Sequence, residues 1–182
     1  MVKELVERIR NHDQRAMSQL YQRYVGRLSS VCYRYVPDEN DAKDVLQNSF
    51  VKIFTALPTI EYRSEEAFWG WMVKVVINEA LHFLRDRRRL RFVSPEQAAS
   101  LAMEEDESEL EWLSPDDLHQ LISELPDGYR TVVNLYIFEG YSHRKIAEML
   151  GISESTSASQ LYFAKQLLAK RIKEFKKIKM KG

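Results

Sequence analysis

The chain has 182 residues and a mass of 21.5 kDa, with 27 Lys+Arg against 27 Asp+Glu and a formal net charge of zero. Six glycines without a Gly-rich run exclude a P-loop or dinucleotide fingerprint, and no apolar stretch approaches the roughly 20 residues of a membrane span. A lone cysteine, Cys32, excludes an internal disulfide, and Met1-Val2-Lys3-Glu4 lacks a signal-peptide core, so a cytoplasmic protein without membrane insertion is expected.

The pattern along the chain is all-α. From Ala16 to Tyr35, Met17, Leu20, Tyr21, Tyr24, Leu28, Val31, Cys32 and Tyr35 recur at helical steps, and Pro37 ends the run. Asp38 is placed to cap the next helix, whose stripe is Val45, Leu46, Phe50, Ile53, Phe54 and Leu57, with Pro58 as its stop. After a polar loop over 59–65, a third helix is predicted from Ala67 to about Arg89. Phe68, Trp71, Met72, Val75, Val76, Leu81 and Leu84 form its apolar face. Three such helices suffice for one small core. Cys32 falls on an apolar face and reads as an inert core residue.

The zero net charge conceals a segregation. Residues 1–91 carry 16 basic and 12 acidic side chains, residues 92–128 carry 11 acidic and no Lys or Arg, and residues 129–182 carry 11 basic and 4 acidic. Two modestly basic modules joined by an acidic segment are implied. Residues 92–113 lose periodicity and read as a flexible acidic linker, with a partial helix near Leu110 to Leu113.

Regular structure is predicted to restart at Ser114, a suitable N-cap, with Pro115 at the first helical position and Asp117 at the positive end. Leu118, Leu121, Ile122 and Leu125 line one face, Pro126-Asp127-Gly128 reads as a turn, and a helix from about Tyr129 to Phe138 ends at Gly140. Ser142 then caps a short helix, His143 to Leu150. Gly151 supplies a positive-φ turn, and Ser153 caps a longer helix to about Phe175. Ile146, Ala147, Leu150, Gly151, Ile152 and Leu161 have helix-turn-helix spacing, although an ordinary helical hairpin shares much of it. Ser157 stands where an apolar plug is expected. A helix-turn-helix places the start of its second helix in the major groove, where Ser153, Ser155, Thr156, Ser159 and Gln160 are expected to be exposed.

The order of these parts resembles the extracytoplasmic-function (ECF, group IV) sigma factors of the sigma-70 family. Asp41 to Lys52 is similar to the family's region 2.2, and Ala67 to Met72 with Lys74 to Ala80 is similar to regions 2.3 and 2.4. Leu125-Pro126, Tyr129-Arg130, Gly140-Tyr141-Ser142, Ile146-Ala147 and Gly151 are similar to region 4. The resemblance implies two small helical domains: a region 2 bundle over 1–91 and a region 4 helix-turn-helix over 114–182, joined by the linker 92–113. It implies that Asp41, Asp44, Gln47 and Asn48 bind core RNA polymerase. Asn48 departs from the usual Glu.

For the −10 element of promoter DNA the resemblance implies Trp69, Lys74, Asn78, Arg85, Arg87, Arg88 and Arg89. Asn78 would read a flipped base, and the arginines would form a phosphate-binding stripe ending the third helix. The alternative for Asn78 is an amide that satisfies a nearby backbone group. For the −35 element it implies Ser153, Ser155, Thr156, Ser159, Gln160 and Lys165. The family's usual arginines are replaced by Gln160 and by Phe163, which is either exposed or packed against an inhibitor.

An anti-sigma factor, often membrane-bound, is the further expected partner. Nothing marks an enzyme or a cofactor site: His12, His82, His119 and His143 lack ligand spacing, and the carboxylates concentrate in the linker. The competing readings are a stand-alone helix-turn-helix regulator and, from another class, a helical protein-interaction adaptor.

Overall fold

A computed structural model of the chain describes residues 2–92 and 113–179, and every regular element among them is helical. They fall into two compact units that part between Arg87 and Arg88.

The first unit contains α1 (Val2–Arg10), α2 (Gln14–Tyr35), α3 (Glu39–Ala56) and α4 (Glu65–Asp86). The last three pack on one another, and α1 lies against α2 and the 3₁₀ turn Leu57–Thr59. Helix α1 is absent from the expected elements. Its buried residues Val2, Val6 and Ile9 make a single short stripe, too brief to stand out beside the longer periodic runs. His12, at φ 60°, closes it, and Asp13 caps α2 by accepting from the N–H groups of Arg15 and Ala16. The hydrogen bond from Arg8 holds the Asp13 carboxyl below the ordinary carboxylate range.

Asp38 caps α3 as expected, accepting from the N–H groups of Asn40 and Asp41 at 3.0 and 2.9 Å. Ser64 caps α4, which starts two residues earlier and stops three residues sooner than predicted. The core is built from Leu20, Tyr24, Leu28 and Tyr35 of α2, Ile53 of α3, and Met72, Ile77, Leu81 and Leu84 of α4. Trp71 and Val75 are only half-buried, while Ile77 and Ala80 are buried. The buried face of α4 is therefore rotated from the predicted one.

Cys32 is buried, with its Sγ 3.6 Å from the carbonyl oxygen of Ala42, and burial pushes its thiol up to about 12. The thiolate is the reactive species. A thiol reagent at neutral pH is therefore expected to leave the folded protein unlabelled and to label one site once denaturant is added. Mass spectrometry checks this, and rapid native labelling would contradict it.

The second unit contains α5 (Pro115–Ser123), α6 (Asp127–Val133), α7 (His143–Leu150) and α8 (Glu154–Lys179). Helix α8 packs against the other three. Ser114 caps α5 by accepting from Asp117 N–H at 3.1 Å. Asp127 and Gly128 lie in the first turn of α6 rather than in a separate turn, because Pro126 itself serves as the N-cap residue. After Val133 the helix widens into a π-helical turn, Asn134–Phe138, in which Glu139 N–H bonds to the Asn134 carbonyl at 3.1 Å. Gly140, at φ 70°, ends it as expected.

Gly128 meets a close neighbour. A Cβ there would sit 2.2 Å from the Arg91 carbonyl oxygen, so only glycine fits beneath that strand of backbone. The expectations for the linker interior, including a partial helix near Leu110, lie outside the described residues. No helix among the described residues is long and apolar enough to cross a membrane.

Candidate functional site

Three exposed surfaces carry the residues singled out from the sequence. On α3, burial of Val45, Leu46, Ser49, Phe50 and Ile53 turns Asp44, Gln47 and Asn48 outward and leaves Asp41 half-buried. These positions share a face with Val51, which is 59% exposed. Val51 is the residue that the sequence pattern did not single out. The outer face of α3 thus mixes an acid and two amides with one exposed apolar side chain.

On α4, Lys74, Asn78 and Arg85 are exposed and follow one face with His82, which pairs with Asp86 at 3.2 Å. Asn78 therefore lies off the buried face of α4. Trp69, nine positions before Asn78, lies half a turn around the helix from it. It is half-buried, stacked on Tyr24 at 6.1 Å between ring centroids, with the Arg27 guanidinium 4.0 Å from its ring centre. Trp69, implied for the −10 element, is therefore only partly accessible, because α2 packs over that side of α4.

Of the four arginines Arg85, Arg87, Arg88 and Arg89, one lies on α4. Helix α4 ends at Asp86, and Arg85 is the last arginine on it. Arg87 folds over Phe83, with its guanidinium 5.1 Å from the ring centre, and Arg88 adopts φ 51°. That left-handed residue turns the chain out of the helix. Arg89 lies in the second unit, 3.7 Å from Asp127.

The third surface is the α7–turn–α8 pair. Ser142 caps α7 by accepting from Lys145 N–H. Gly151, at φ 68°, makes the turn, its N–H bonded to the Ala147 carbonyl at 2.9 Å. Ser153 caps α8, accepting from Thr156 N–H at 3.0 Å. Its hydroxyl also lies 2.9 and 2.8 Å from those of Ser155 and Thr156. Ser153, Ser155 and Lys165 are exposed, and Thr156 and Ser159 are partly so.

Gln160 is the correction here: it is 0% exposed. Ser157, Gln160, Leu161 and Ala164 form the inner face of α8 at steps of three, one and three. Phe163 is buried too, at 7% exposure, its ring edge-on to Tyr162 at 5.1 Å.

Ser157, in place of an apolar plug, faces His143. The Ser157 Oγ and His143 Nδ1 lie 2.9 Å apart, and the imidazole stacks on Tyr136 at 4.5 Å. A polar pair therefore joins the two helices where a methyl contact was expected. A double-mutant cycle with Ser157→Ala and His143→Ala is expected to give a coupling of about 0.5–1.5 kcal/mol, the net value of one part-buried hydrogen bond. Denaturant titration measures it, and additive single-mutant effects would contradict the pairing.

The arrangement is one of two modules with outward polar faces and a helix-turn-helix, and comparison with known proteins identifies it. The family model described as Sigma-70 region 2 matches residues 20–90, and that described as Sigma-70, region 4 matches residues 116–168. The RNA polymerase sigma-H factor of Pseudomonas aeruginosa is 31% identical over 180 residues, covering 93% of this chain and 92% of that protein. The chain belongs to the sigma-70 family, as an RNA polymerase sigma factor of the ECF type. The ECF RNA polymerase sigma-E factor of Haemophilus influenzae is 28% identical over 188 residues, covering 92% and 93% of the two chains. Among solved structures, CnrH in complex with the cytosolic domain of CnrY is 23% identical, covers 93% of this chain and 96% of that chain, and has a TM-score of 0.47. In this sigma factor the region 2 match begins inside α2, and α1 lies ahead of the matched segment.

Proposed function

We propose that the first unit of this sigma factor holds core RNA polymerase through the α3 face and reads the −10 element through the α4 face. In the same reading the second unit places α8 in the major groove of the −35 element. Sigma factors bind core polymerase and promoter DNA; the assignment to faces is our own. The observation that carries it is the exposed row Lys74, Asn78 and Arg85 on α4. The two cations can neutralise phosphates, and the amide between them offers a donor and an acceptor to a base edge. On α3, the acid and amide groups around Val51 suit a basic partner surface, which gives specificity of docking more than raw affinity.

The sigma factor contributes promoter choice, and polymerase carries out the chemistry, in the cytoplasm. Neither unit is strongly cationic, so each binds DNA weakly alone. Polymerase, by holding both in place, converts two weak contacts into one strong one. An anti-sigma factor, of the kind often anchored in a membrane, is the regulator we infer. The stand-alone regulator is disfavoured because a regulator that only binds DNA has no need of the region 2 match over 20–90.

Promoter-dependent transcription with purified core polymerase tests the reading. The full chain is expected to direct initiation at promoters bearing one upstream and one proximal element. DNA binding without any gain in specific initiation would overturn it.

A further inference from the structure

The outer face of α8 differs from the set of residues expected to read DNA. Burial assigns Ser157, Gln160, Leu161, Phe163 and Ala164 to the interior of the second unit. Outside, along the first three turns, run Ser155, Ala158, Ser159 and Tyr162, at steps of three, one and three, followed by Lys165, with Glu154 exposed and Thr156 partly so at the helix start. Ala158 is exposed and Tyr162 is 40% exposed. Gln160, the residue with the amide best suited to adenine, faces the wrong way to use it.

We propose that Ala158 and Tyr162 are the residues through which this helix chooses and grips its DNA site, Ala158 by contact with a thymine methyl and Tyr162 by a hydrogen bond to a phosphate. The inference rests on the reading that α8 enters the major groove. Residues early in the second helix of such a motif approach base edges, and Ala158 is in the second turn of α8. Its methyl group is flanked by the Ser155 and Ser159 hydroxyls. Ser155 already shares its hydroxyl with Ser153, and the Ser159 hydroxyl donates to the Ser155 carbonyl at 2.6 Å. The Ser159 proton is thus used locally and the Ser155 hydroxyl is partly engaged. This leaves a small apolar spot at the centre of the face, which matches the one apolar feature of the groove floor, the thymine C5 methyl.

Tyr162 lies one turn further on, where a helix leaving the groove passes the sugar-phosphate wall. Its phenol is long enough to reach a phosphate oxygen, and a hydrogen bond of this kind positions the helix without reading sequence. Lys165, exposed on the same side, adds charge to that wall.

The test uses holoenzyme assembled from the full chain and core polymerase, with a duplex promoter library randomised across the upstream element. Wild type is expected to prefer thymine at one position, and replacing that thymidine by deoxyuridine, which removes only the methyl, should weaken binding several-fold. Ala158→Ser and Ala158→Asn are expected to lose the thymine preference by the same several-fold factor. Ala158→Ser should also become insensitive to the deoxyuridine exchange. Tyr162→Phe should weaken all sequences by a similar several-fold factor, with the salt dependence unchanged because no cation is lost. Gln160→Ala should leave base preference as in wild type.

If wild-type holoenzyme shows no upstream preference at all, the major-groove reading fails and this inference with it. A wild-type preference that both Ala158 variants preserve, or that Gln160→Ala alters, overturns the inference while leaving the reading intact.

Discussion

Arg130→Ala is expected to destabilise the second unit by about 3–5 kcal/mol, the usual cost of removing one partner from a buried charged network. Arg130 is 4% exposed. Its Nη1 donates to the carbonyl oxygens of Leu125 at 2.6 Å and Ser123 at 3.2 Å, and its Nη2 bonds to Asp127. The Ser123 carbonyl ends α5 and the Leu125 carbonyl lies just past its C-cap, so the guanidinium satisfies one acceptor that the helix C-terminus leaves orphaned and one in the turn beyond it.

Desolvation pulls the Arg130 pKa down, and the neighbouring Asp127 opposes the shift. Asp127 is the less exposed to loss, since Arg89 lies 3.7 Å away and would remain. That moderates the expected cost toward the lower end of the range. A lysine at this position can donate to one or two of the three acceptors but lacks the planar fork, so Arg130→Lys should recover only part of the loss. Denaturant unfolding of the full chain should show the second unit's transition moving to lower concentration while the first unit's stays in place. An unshifted transition would rule out this role.

The second large effect concerns promoter choice. Asn78→Ala is expected to reduce discrimination at one −10 position by about 1–3 kcal/mol, the scale of a single base pair. The residue is exposed, so the substitution leaves the core of α4 intact and thermal stability should be nearly unchanged. Lys74→Ala on the same face should behave differently, weakening binding uniformly across sequences and reducing the salt dependence by about one counterion. The contrast separates base reading from phosphate neutralisation. Transcription by Asn78→Ala with wild-type −10 selectivity would sink the assignment of this amide.

Features set by a single side chain and its own backbone were legible in the sequence. Asp38, Ser114, Ser142 and Ser153 all cap the helices they were expected to cap, and Gly140 and Gly151 take the positive φ their positions required. These depend on chemistry within four residues. Features that depend on a distant partner were not legible. Trp69 is covered because Arg27 and Tyr24 come from another helix. Gln160 is buried because the apolar residues around it carry its whole face inward, a case of packing overriding side-chain polarity. Helix α4 stops short of Arg87, Arg88 and Arg89, although helix propensity continues through them, because the backbone at Arg88 turns left-handed. Arg130 read as one residue of a family motif. Its burial and its three acceptors, which give that motif a physical purpose, are visible only in three dimensions.

The contact between Gly128 and the Arg91 carbonyl bears on how this protein is divided for experiments. A fragment of the second unit that begins at Ser114 would uncover the backbone of α6 at Gly128 and would leave Asp127 without Arg89. One that begins at Arg88 keeps both. The practical boundary for expressing the second unit therefore lies well ahead of its first helix, on the near side of the acidic segment.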